Sequence, residues 1–228
     1  MGSPITTVVV LTGTGEYADP WHDFAATSSA VAVLLEALGL RVLVVPTTPE
    51  AILALGQPDL LVVDAGGGGT PTRASASSAA RTLRRRATDR LTDLLAGGVP
   101  LLGLHAAANA FVDVPAFRER LGGRWVEGVS FHPERGTAHL RAASGHPVLA
   151  GRREIVIPDD ERYSALEIDD DVVPLLDHEV DGVRHVAAWA RDDGRGRVVY
   201  DGLGHHAPAY DTPGRRELLA DEVRWLLG

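Results

Sequence analysis

"LLGLHAAANAF", residues 101–111, runs four apolar residues into a histidine and then into a small-residue segment. Extended back to "VPLLGL" (99–104), the first part reads as a strand too apolar to keep a solvent face, so it belongs inside a covered parallel sheet. Small residues flank His105, as an abrupt strand-to-helix turn with close helix approach requires. This is the layout of a nucleophile elbow, where a Ser or Cys would project above the sheet. Here an imidazole stands in that place. It can shuttle protons, bind a metal or polarise a carbonyl, but it is seldom a hydrolytic nucleophile. The bland alternative is a histidine satisfied by nearby backbone.

The same grammar repeats on both sides. "TTVVVLT" (6–12), "LRVLVVP" (40–46) and "DLLVVDA" (59–65) read as further buried strands. Between them come a helix with Val31, Leu34, Leu35 and Leu38 on one face and Gly39 as its C-cap, and a short helix around Pro49 to Leu55. In "RTLRRRATDR" (81–90) and its continuation, Leu83, Ala87, Leu91, Leu94 and Leu95 form a helical stripe and leave the arginines on solvated faces. "HAAANAF" can begin a helix immediately. From about residue 124 to 200 the pattern shortens to alternating segments such as "GTAHLRA" and "REIVIP", which predict antiparallel strands. "GRVVYDGLG" (196–204) restores a core strand, and "TPGRRELLADEVRWLL" closes as a helix with Thr212 as N-cap. The expectation is a doubly wound, mostly parallel α/β sheet of flavodoxin-like type with a short antiparallel extension. One domain over residues 1–228 is expected, with the first six disordered.

Bulk properties remove several functions. The net charge is −9, all the basic residues are arginine, and an acidic chain repels phosphates, so nucleic acid is not expected as a partner. The longest apolar runs are four to six residues, too short for a bilayer, and "MGSPITT" lacks a basic segment followed by an apolar one. No membrane association and a cytoplasmic location are expected. Without cysteine there are no disulfides, thiolate metal sites or thiol nucleophiles.

In an open parallel sheet ligands bind beyond the carboxyl ends of the strands. There the sequence places Glu16, His22 and Asp23 after the first strand, "GGGG" (66–69) after the third, His105 after the fourth and "GLGHH" after the last. Gly66 and Gly67 read as flexible backbone donating N–H groups to a ligand, because no Lys-Ser/Thr ending makes them a phosphate loop. Trp21 and Trp189 offer flat faces for a sugar ring, with core packing as the alternative. "IPDDERYSAL" brings Asp160, Glu161 and Tyr163 together: a metal ligand or base beside a tyrosine that orients a hydroxyl, or else a solvated acidic loop. His132 lines the pocket or sets a turn before Pro133; His146 reads as a turn residue. "IDDD" (168–171) lacks the Gly and closing Glu of a calcium loop and reads as a solvated turn.

"WHDF", "GLHAAANAF", "LGGRW…HP", "GHPVLAG", "DDERY" and "GRVVYDGLGHH", in this order, resemble the trehalose-utilisation (ThuA-like) domain family over residues 7 to 227. That family resembles class I glutamine amidotransferases in fold, with the elbow cysteine lost. The resemblance implies action on trehalose-related sugars, keto-disaccharides among them, with His105, His205 and Glu161 as catalytic groups or as ligands of a divalent ion such as zinc. It implies substrate contacts from His22, Asp23, Gly66, Gly67, His132, Tyr163, Trp189 and His206. Expected partners are a small carbohydrate and a second copy of the chain. A non-catalytic sugar- or partner-binding scaffold is the alternative. The segment "GVSFHPE" (128–134) echoes the amidotransferase His-x-Glu motif but lies only 27 residues past His105, whereas His205 lies 100 past it. The amidotransferase histidine's place therefore falls to "LGHH", and glutamine hydrolysis is excluded by topology as well as by the missing thiol.

Overall fold

Strand and helix alternate through the first half of the chain because buried apolar runs and amphipathic stripes alternate there. A computed structural model describes residues 5–67 and 77–228. The order is β1 (Thr7–Thr12), α1 (Phe24–Ala37), β2 (Arg41–Pro46), α2 (Pro49–Leu53), β3 (Leu60–Asp64), α3 (Ser78–Ala96), β4 (Leu101–Leu104) and α4 (Pro115–Leu121). Short strands follow: β5 (Gly123–Arg124), β6 (Gly136–Ala142), β7 (Glu154–Asp160), β8 (Glu167–Ile168), β9 (Val173–Val180) and β10 (Val183–Asp192). β11 (Arg197–Asp201) and α5 (Pro213–Leu227) end the fold.

Nine strands form one sheet in the order β2-β1-β3-β4-β11-β10-β9-β6-β7. The first five pair in parallel and the remaining four add antiparallel. Two apolar layers cover the sheet. One joins Val8, Val62 and Leu104 to α1 and α5; the other joins Leu61, Val63 and Leu101 to α3 and α4. β2 departs from the fully covered reading. It is an edge strand, and Leu43 and Val44 stay 40% and 44% exposed.

The helix expected to start at "HAAANAF" stops after one 3-10 turn, His105–Asn109. The carbonyl of Ala108 accepts the Trp125 N–H at 2.8 Å, and Phe111 has φ 50°, so the chain leaves helical geometry at once. Gly103 allows the turn to sit close: a Cβ there would lie 2.7 Å from Leu121 Cδ1 and 3.3 Å from Ala107 Cβ.

On α3, Ala87, Leu91, Leu94 and Leu95 are buried, while Leu83 is half-buried. Not all its arginines are merely solvated. Arg84 pairs with Glu16, and Arg90 caps the carbonyls of Leu55 and Gly56, each at 2.8 Å from Nη2. "IDDD" likewise takes partners, Asp169 with Arg118 and Asp171 with Arg191. Disorder was expected for residues 1–6. Of these, 1–4 lie outside the described residues, and the Thr6 carbonyl accepts the Arg41 N–H at 3.0 Å.

Alternation in β6 and β7 buries Ala138, Leu140, Ile155 and Ile157 in the layer that also holds Leu218 and Leu219 of α5. β7 is outermost by hydrogen bonding, yet this packing brings its last residue back to the exit of β11. Asp160 Oδ2 accepts the Gly204 N–H at 2.8 Å. This return positions the site.

Candidate functional site

Four chain segments deliver side chains to one point. His22 precedes α1, His105 turns off β4, Glu161 follows β7 and His205 follows β11. One ligand atom from each of the four lies within 4.8 Å of all the others. The imidazole centroids are 4.8–5.4 Å apart.

Each side chain is held by a different device. His105 has φ 40°, a left-handed conformation that costs a non-glycine residue about 1–2 kcal/mol. Its Nδ1 lies 2.9 Å from the Gly202 carbonyl, which fixes the proton there and leaves Nε2 a bare lone pair; Tyr200 donates to its carbonyl at 2.8 Å. His22 Nδ1 is gripped by Asp19 at 2.7 and 2.8 Å, so its Nε2 is also free to accept. Glu161 Oε2 stands 3.4 Å from His105 Nε2 and 3.3 Å from His205 Nδ1. Both of those nitrogens are buried without a hydrogen-bond partner among the described residues. Gly66 lets the exit of β3 close behind them. A Cβ there would come within 3.1 Å of Asp19 Oδ2 and 3.2 Å of Ala106 Cβ.

Electrostatics follow from this packing. Burial opposes charge on Glu161, but the contacts with His105 and His205 outweigh it and hold the carboxyl well below the usual range. For His105 burial favours the neutral ring, yet Glu161 and the charge of Asp160 raise its pKa. Burial lowers His22 despite Asp19, and burial with the charge of Glu161 keeps Tyr163 protonated far above neutrality. Lone pairs and a carboxylate facing one another at 3.3–3.4 Å repel unless a proton or a cation sits among them. Three imidazoles and one carboxylate are a donor set that suits zinc or another divalent transition metal. The carboxylate–imidazole pair Asp19–His22 is the kind of outer support that ligating histidines carry.

The remaining expected residues divide. Tyr163 joins the cluster: its hydroxyl is 3.4 Å from His22 Nε2 and its ring centroid 4.2 Å from that of His105. His132 lies at the rim, stacked with Tyr163 at 6.1 Å and 3.9 Å from Glu161 Oε1. His206 turns aside to Asp159 at 3.6 Å. Asp23 caps α1, accepting the Ala26 N–H at 3.0 Å. Gly66 corrects the expected backbone donor, because its N–H is spent on the Tyr17 carbonyl at 3.0 Å; Gly67 sits against the Glu16 carbonyl, and residues 68 and 69 of the glycine run lie outside the described residues. His146 accepts the Val148 N–H at 3.3 Å, a turn role. Trp189 is a correction. It is 0% exposed, stacks on Tyr200 at 4.1 Å and donates to the Leu121 carbonyl, so no sugar reaches it; β10 is covered on both faces there. Trp21, by contrast, is 76% exposed next to His22.

Sequence reading missed Asp19, whose signal was a carboxylate three residues before His22 in "DPWH". It also missed Trp125 as a site residue, which packs edge-on against Tyr163 at 4.7 Å and whose signal was its place in "LGGRW".

Asp64, ending β3, is buried and accepts the Thr27 and Ser28 hydroxyls, each at 2.7 Å. Burial pushes its pKa up to about 6. A carboxyl raised above its unfolded value contributes most at low pH and loses that contribution as pH climbs through the folded value. Asp64→Asn cannot ionise. Its stability relative to wild type should therefore rise by about 2 kcal/mol between about pH 4.5 and 7.5 in urea unfolding. A pH-independent difference would refute the assignment.

The chain can now be compared with known proteins. The family described as trehalose utilisation, ThuA, matches residues 8–226. No curated protein matches the sequence. Among solved structures, a ThuA-like protein from Parabacteroides merdae superposes with a TM-score of 0.76 at 18% identity, covering 99% of this chain and 90% of that one. A second, from Bacteroides uniformis, gives 0.71 at 16% identity over 97% and 91%. A glutamine amidotransferase from Thermotoga maritima gives 0.59 at 9% identity, covering 99% of each chain. At these identities the likeness is one of fold.

Proposed function

The chain belongs to the trehalose-utilisation (ThuA) family, and from that premise we propose that it is a carbohydrate-processing enzyme whose His22, His105, Glu161 and His205 hold a divalent ion beside an oxidised (keto) disaccharide. The observation that carries this reading is the convergence of those four side chains from four segments. A keto group acidifies the neighbouring C–H bonds, so cleavage or isomerisation needs a base and something to take up carbonyl charge. A divalent ion, when bound, supplies that polarisation.

The chain's own residues divide the rest. Glu161, with one oxygen 3.4 Å from His105 Nε2 and 3.3 Å from His205 Nδ1, is the carboxylate ligand of the set. Tyr163 keeps its proton and donates a hydrogen bond to a sugar oxygen. His132, exposed at the rim, facing Glu161 and outside the ligand set, is the group that takes up the C–H proton as base and passes it to solvent. Trp21 and Trp125 supply faces for a pyranose ring. Among the described residues no arginine pairs with Glu161, Asp19 or the three histidines, which suits an uncharged sugar better than a phosphorylated one.

The test incubates the purified protein with disaccharides and their keto derivatives, with and without chelator. Turnover of a keto-sugar that chelator abolishes is expected. If wild type and His105→Ala are equally inert on every compound, the catalytic reading falls and a binding role replaces it.

A further inference from the structure

Asp160 is completely buried at the end of β7. Its Oδ1 accepts two backbone N–H groups at once, that of Glu161 and that of His205, each at 2.9 Å; its Oδ2 takes the N–H of Gly204 at 2.8 Å. A single oxygen atom therefore ties the backbones of two of the four convergent residues, which arrive on strands that are not neighbours in the sheet. We propose that Asp160 is a positioning residue: it sets the spacing of Glu161 and His205 before any ion arrives, and so governs the affinity of the cluster for a divalent cation. The inference rests on the metal-holding reading above.

Three features support it. An ionised carboxylate is costly to bury, and here the compensation comes from three backbone donors, all on the two segments that carry Glu161 and His205. The second segment would otherwise be a loop. Gly204 has φ 95°, and it leads from β11 to His205 through glycines. The same segment also reaches the third ligand, since Leu203 N–H is held by Asp201 Oδ1 at 3.0 Å and the Gly202 carbonyl holds His105 Nδ1. Moving Asp160 would disturb three ligands without removing any.

Asp160→Asn keeps the shape, but in either orientation of the amide its NH2 faces a backbone N–H. Zinc affinity, measured by competition with a chromophoric chelator, should fall about ten- to hundredfold, the range seen when a ligand's supporting partner is removed. Glu154→Gln neutralises an exposed charge on the same strand and should stay within about twofold of wild type. Wild-type affinity in Asp160→Asn overturns the proposal. A second arm needs no variant. In the zinc-free wild type, the amides of Glu161, Gly204 and His205 should exchange slowly with solvent although they leave strand ends, and exchange at open-loop rates overturns the clamp. If wild type binds no zinc, the metal reading fails, and amide exchange alone decides whether Asp160 holds the two segments together.

Discussion

Zinc affinity is expected to fall at least about a hundredfold in His105→Ala, a larger loss than removing a supporting residue brings. The reason is that His105 is the least replaceable of the four. Its backbone is forced to φ 40° by the turn off β4, and its Nδ1 is spent on the Gly202 carbonyl, so Nε2 has one direction to point. Alanine removes that donor, and no side chain on the turn stands ready to substitute, because Ala106, Ala107 and Ala108 follow. Thermal unfolding gives an independent reading. An ion that binds only the folded chain stabilises it by about 2.7 kcal/mol at a hundred times its Kd, so zinc should raise the melting temperature of wild type and leave that of His105→Ala where it was. Because imidazoles must be deprotonated to ligate, the zinc-induced shift should shrink as pH falls. An equal shift in both proteins would place zinc elsewhere.

Much of this was legible in the sequence, and the limits have physical causes. Apolar runs with turn residues at their ends revealed the five parallel strands: in four of them a strand covered on both faces leaves almost no choice of residue, and β2 carries an apolar run although it lies at an exposed edge. The elbow at His105 and the histidines at strand exits were visible for the same reason: exits are where an open sheet binds. What could not be read was the path of the antiparallel half. Nothing local in "IPDDERY" says that β7, at the margin of the sheet, returns through Ile155 and Ile157 to meet β11. Without that return Glu161 is only an acid in an acidic loop. His22 could be placed near the sheet's rim but not within 4.8 Å of the other ligands, and Asp19 gained meaning only once His22 was fixed. Trp189 failed in the opposite sense. Its chemistry suited a sugar, but β10 is covered on both faces at that point, with Ala188 and Ala190 in one apolar layer and Trp189 in the other, and core packing decides such cases.

Arg215→Met is expected to cost about 3–5 kcal/mol of stability, because it strands a charge that the fold has buried completely. Arg215 of α5 lies 2.8 Å from Asp201 at the end of β11 and 4.0 Å from Glu222, with the Tyr210 ring 4.7 Å from its guanidinium; the Arg215, Asp201 and Glu222 side chains are all 0% exposed. Burial and the charge of Asp201 keep the Glu222 carboxyl protonated well above its ordinary value, so the pair that matters is Asp201 with Arg215. For Asp201 burial raises the pKa and Arg215 is the largest influence lowering it, so removing the arginine leaves only the Leu203 N–H and the Glu222 contact to oppose burial and raises the pKa further. A folded carboxyl raised above its unfolded value loses stability as pH rises, so the gap between Arg215→Met and wild type should widen from acid to neutral pH. In a domain of this size the loss amounts to a drop of roughly 10 °C in melting temperature. Two companions separate this account from simple loss of packing. Glu222→Gln replaces a group that is already neutral and should change stability by less than about 1 kcal/mol. Adding Asp201→Asn to Arg215→Met removes the stranded charge and should recover much of the loss, because the amide oxygen can still accept the Leu203 N–H that Asp201 Oδ1 takes. If the double variant is no more stable than Arg215→Met alone, the cost lies in the vacated space and not in the charge.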